Sequence, residues 1–79
     1  MNEFGLRECH VFEAAGQQFL YLVPSAAVFA LDETSHEIVA LLRDGPLTRP
    51  ALITALESQR SPAEVDTSLI ELQQVQAVA

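Results

Sequence analysis

Apolar residues follow two different periods along this chain. Between residues 8 and 31 they form three strand-length runs, rich in Val, Phe, Tyr and Leu. After residue 31 they recur every three or four positions. The first run, Cys9 to Glu13, reads as a strand. Ala14-Ala15-Gly16-Gln17 reads as a hairpin connection, because Gly16 has no Cβ to oppose a positive φ. Gln18 to Val23 is apolar almost throughout, which predicts a second strand covered on both faces. Pro24 cannot donate to a ladder and ends it. Ala26 to Leu31 is the third strand. Residues 1–7, with Gly5 and little periodicity, read as a loose lead-in, followed by a β-meander over 8–31.

Three helices follow over 32–76. Asp32 can cap the first, as can Thr34, whose spacing to Glu37 fits a capping box. Ile38, Leu41 and Leu42 form its apolar side, and Gly45-Pro46 stops it. Thr48-Arg49-Pro50 starts a second helix carrying Leu52, Ile53 and Leu56. Ser61, Pro62 and Glu64 mark the start of the third, with a cap, a first-turn proline and a completed capping box. Val65, Leu69 and Leu72 lie on one face of it, flanked by Ser68 and Val75. The uncharged tail, Gln73 to Ala79, shows no stop signal, so the chain reads as cut from something longer. The expected fold is α+β in the order β-β-β-α-α-α, a single domain. Ser58 to Ser61 joins the last two helices as a helix-turn-helix, so the architecture is winged helix-turn-helix-like.

Size and charge narrow the function. Seventy-nine residues leave little room for a deep catalytic cavity. Four arginines and no lysine stand against eleven acids, a formal net charge of -7. That sign opposes nucleic acid and anionic membrane alike. The third helix, which would enter a major groove, carries Glu64, Asp66 and Glu71 and no basic residue. The single cysteine excludes an internal disulfide and fits a reducing, cytoplasmic setting. The longest apolar run is far too short to span a bilayer. Cys9 and His10 are adjacent on a strand and point to opposite faces, so they cannot share a metal. Thr34, Thr48 and Ser61 are explained as caps, and no nucleophile elbow or phosphate loop occurs. No catalytic residue, metal or cofactor is expected.

What remains is a protein or peptide partner. If strand order follows the chain, the third strand is a sheet edge, and Ala26-Ala27-Val28-Phe29-Ala30 carries no charge, lysine or proline to guard it. Such an edge is covered by the rest of a larger protein or left open for a visiting strand. In the second case pockets near Val28, Phe29, Val65, Leu69 and Leu72 would select the sequence. The bare edge and the free cysteine also permit a homodimer or a strand swap.

The run FEAAGQQFLYLVPSAAVFALDETSHEIVALL resembles the N-terminal domain of peptide-modifying radical SAM maturases in natural-product biosynthesis. That domain, the RiPP recognition element, is similar to the pyrroloquinoline-quinone biosynthesis chaperone PqqD. The resemblance covers about residues 8 to 76 and rests on the hairpin, the VPSAAVFALDE segment and the helix with Ile38-Val39-Ala40-Leu41-Leu42. It implies a non-catalytic domain that binds the leader of a ribosomally made precursor peptide and presents it to a maturase in cis or in trans. It also implies that the leader adds as a strand beside the third strand, flanked by the third helix. The expected peptide-binding residues are therefore Ala26, Ala27, Val28, Phe29, Ala30, Leu31, Val65, Ser68, Leu69 and Leu72. The shortage of basic side chains on that helix predicts a neutral or basic peptide. The competing expectations are an acidic winged-helix transcription factor and a structural docking domain of a larger enzyme.

Overall fold

The structure, a computed structural model, describes residues 3–23 and 25–78. Its elements are β1 (Glu3–Phe4), β2 (Cys9–Ala14), β3 (Gln17–Leu22), β4 (Ala27–Ala30), α1 (Glu33–Leu42), β5 (Leu47–Thr48), α2 (Arg49–Leu56) and α3 (Pro62–Gln74). The fold is α+β. An antiparallel sheet in the order β2-β3-β4 packs with three helices, and a two-residue ribbon pairs β1 with β5.

That ribbon overturns the expectation of a loose lead-in and of helix alone after residue 32. Glu3 pairs with Thr48 and Phe4 with Leu47. Leu6 bridges Val78, and the Arg7 N–H donates to the Ala77 carbonyl at 2.9 Å. Two-residue strands leave no detectable period, yet Phe4 and Leu6 pack on the core. The expected lead-in residues Met1 and Asn2 lie outside the described residues, as does the strand-ending Pro24. The C-terminal tail is likewise placed as far as Val78, and Ala79 lies outside the described residues. α3 ends at Gln74, Gln76 turns left-handed at φ 64°, and Ala77 and Val78 fold back into the core. The Ala77 N–H donates to the Leu72 carbonyl at 2.9 Å, an αL termination without glycine.

The hairpin forms at the expected place. Ala14 pairs with Gln17, leaving the two-residue loop Ala15-Gly16 with φ of 54° and 76°. Positive φ at both positions is the turn whose twist matches the flanking strands. Ala26 is a correction: at φ 58° it belongs to the turn before β4 and not to the strand.

β3 is not covered on both faces. Leu20 and Leu22 are buried, whereas Phe19 and Tyr21 on the opposite face are only half-buried. The Phe19 ring stacks on Phe12 at 5.4 Å between centroids. Cross-strand aromatic pairing, and not a second layer, accounts for the unbroken apolar run.

Asp32 caps α1, its carboxylate accepting from the Ser35 N–H at 2.7 Å. The alternative box from Thr34 to Glu37 does not form; Thr34 is buried inside the first turn, and Glu37 binds Arg60 at 2.8 Å. Thr48 caps α2, and Ser61 caps α3 with the full reciprocal box to Glu64. The helices and the inner face of the sheet close one core around Leu20, Ile38, Val39, Leu52 and Val65. Two charged clasps tie it: Arg49 forks onto Asp66 between α2 and α3, and Arg60 reaches Glu33 and Glu37 on α1.

Candidate functional site

The ladder phase decides what β4 offers a partner. The Leu31 N–H donates to the Gln18 carbonyl at 2.9 Å, and Phe29 stands opposite Leu20 and Ala27 opposite Leu22. Backbone groups alternate direction along an antiparallel strand, so Ala27, Phe29 and Leu31 bond inward to β3. Val28 and Ala30 therefore turn their N–H and C=O groups away from the sheet. Side chains alternate in the other sense: Phe29 points toward the core, and Val28, 51% exposed, points to the outer face.

Beside this edge lies an open groove of about 440 Å³. Leu20, Phe29, Leu72 and Val75 are among its apolar lining residues, and Asp32, Ser35 and Glu71 among its polar ones. Gln17 closes the rim, its side-chain amide donating to the Leu31 carbonyl at 3.0 Å. A shallower depression of about 290 Å³ continues from it, sharing Asp32 and Glu71 and adding Thr34, Glu64, Thr67 and Ser68. No basic side chain lines either space.

The structure brings together only part of the expected set. Phe29, Ala30, Leu31 and Leu72 line the groove. Val28 sits at the edge with its backbone free, and Ala27 bonds inward beside Leu22. Ala26 is in the turn. Val65 and Leu69 are buried at 0% and 3% exposure and face the core, while Ser68 borders only the shallower depression. The sequence pattern puts the groove wall on the apolar stripe of α3, but a helix buries that stripe first. The groove meets the margin of the stripe and the last turn, Glu71 and Val75. Val75 lies three residues after Leu72 and four after Glu71, so both neighbour it along the helix surface, although Glu71 and Leu72 do not share a face. Gln17, Leu20, Asp32 and Ser35 complete the lining, and these depend on how α1 leaves the sheet.

The other candidates, Cys9 and His10, do not line the groove. Cys9 is half-buried against the core and its thiol is pushed up by burial, partly countered by the Arg43 charge, whereas His10 is exposed. Among the described residues no group of three His, Cys, Asp or Glu side chains is placed to hold a metal. No helix among them is long and apolar enough to cross a membrane. No family model, curated protein or solved structure matches the chain.

Proposed function

We propose that this chain is a non-catalytic peptide-recognition domain of winged-helix type, which takes an extended peptide as a fourth strand on β4. The observation that carries the reading is the conjunction at one edge: outward N–H and C=O groups on Val28 and Ala30 beside a groove walled by Phe29, Leu72 and Val75. Main-chain hydrogen bonds give such an edge affinity, and the adjoining pocket gives it sequence preference. In this reading, which follows the resemblance to RiPP recognition elements, the peptide is the leader of a ribosomally made precursor and the partner is a cytoplasmic radical SAM maturase. The net charge of -7 supports a protein partner over nucleic acid.

The test is a titration of the isotope-labelled domain with the leader peptide encoded beside its gene. Amide shifts over residues 27–31 and 71–75 with micromolar affinity are expected. Shifts confined to β1 and β2 would instead identify a docking domain, and an absence of shifts would end the peptide reading.

A further inference from the structure

We infer that the groove selects a peptide with an apolar and a basic side chain separated by one residue. The inference rests on strand addition at β4 and adds the chemistry of the occupant. A visiting strand exchanges hydrogen bonds with Val28 and Ala30, so its residues opposite those two point to the outer face of the sheet. Its residues opposite Phe29 and Leu31 point the other way, over the groove. The two positions meet different surroundings. Opposite Phe29 the wall is Leu20, Phe29, Leu72 and Val75, which suits leucine, valine or phenylalanine. The position opposite Leu31 is nearer the polar lining: Asp32 follows Leu31 in the chain, Ser35 is bonded to Asp32, and Glu71 recurs with Asp32 in the neighbouring depression.

Asp32 and Glu71 border both the groove and the shallower depression, so they stand together at the α1 end, with Glu64 beyond them. Asp32 gives one oxygen to the Ser35 N–H and keeps the other; the exposed Glu71 carboxylate forms no ion pair among the described residues. A lysine or arginine opposite Leu31 neutralises this pair, and an acidic residue there is repelled. A peptide running parallel to β4 thus reads apolar-x-basic, and an antiparallel one basic-x-apolar.

The probes are dye-labelled, end-capped, threonine-rich nonapeptides carrying leucine and, two residues on, lysine, in both orders. Matched peptides carry glutamate for lysine or threonine for leucine. Binding to the full chain is read by fluorescence anisotropy and by β4 amide shifts. One leucine–lysine order should bind best. Exchanging lysine for glutamate replaces an attraction by a repulsion and should weaken binding about tenfold at low salt, less at high salt. In Glu71→Lys, a change on an exposed helical position, the pair keeps no net charge and the preference for lysine over glutamate should largely disappear. Equal binding of lysine and glutamate peptides, with β4 shifts intact, would overturn this inference and leave strand addition standing. The absence of β4 shifts with every peptide would overturn both.

Discussion

The sheet has two edges, and they are finished differently. On β2 the ladder phase, set by the bond from the Val23 N–H to the Glu8 carbonyl, turns the backbone of Cys9, Val11 and Glu13 outward. Glu8, His10 and Glu13 stand exposed along that edge, and charge beside unpaired backbone discourages a further strand. β4 has the same unpaired backbone at Val28 and Ala30, with neither charge nor proline, and it adjoins the groove. Backbone geometry alone does not make a binding edge. What distinguishes β4 is the absence of a guard together with an apolar wall next to it.

Leu20 belongs to the strand both edges share, is fully buried, and lines the groove. Leu20→Ala should destabilise the domain by about 2–5 kcal/mol, through lost transfer energy and the cavity left behind. Val28→Ala, at an exposed edge position, should cost less than about 0.5 kcal/mol. Urea titrations of both variants check the contrast. Comparable losses would mean that the β4 edge is part of the core and not a free surface.

A proline at an outward-facing position removes a donor that the ladder does not use. Val28→Pro should therefore keep the fold and weaken leader binding at least about tenfold, since one hydrogen bond is lost and the ring obstructs the added strand. Glu13→Pro makes the same change on the guarded edge and should leave affinity unchanged. Circular dichroism with anisotropy checks both. Equal effects at the two sites would dissolve the distinction between the edges. A smaller effect is expected from Val75→Ala, which trims the groove wall where it is half-buried. The loss of two methyl groups from the contact should weaken binding about three- to tenfold.

The contrast between the edges was partly legible from the residues. The uncharged Ala27-Val28-Phe29-Ala30 run and the hairpin at Ala15-Gly16 announce a bare third strand, because local turn chemistry and charge are written at single positions. Of the groove's far wall only Leu72 was legible. Val65 and Leu69 carry the strongest helical signal, and that signal reports burial, whereas Glu71 and Val75 become wall residues only once α3 is seated on α1. The β1–β5 ribbon was hidden for another reason. A two-residue pairing across more than forty positions has no periodicity, and its register comes from tertiary packing of Phe4 and Leu47.

Cys9 offers the gentlest probe of the guarded edge, because its side chain reports whether the inner face of β2 is closed. Burial disfavours the thiolate and pushes the thiol above its ordinary value, and the Arg43 charge pulls part of the way back. A group whose folded pKa is raised adds stability that is complete below the unfolded pKa and is lost as pH rises through the folded value. Stability should thus fall slightly on the alkaline side of the ordinary thiol range, and a Cys9→Ser variant should lack that slope. Alkylation by iodoacetamide should be slower than for a free cysteine peptide at the same pH, with its rate midpoint displaced upward. Arg43→Gln, at an exposed helix end, should displace it further. A thiol that reacts as fast as the free peptide would show that the inner face of β2 is as open as the groove beside β4. In that case the guard would lie in the charges of Glu8 and Glu13 alone, and the two edges would differ by electrostatics and not by packing.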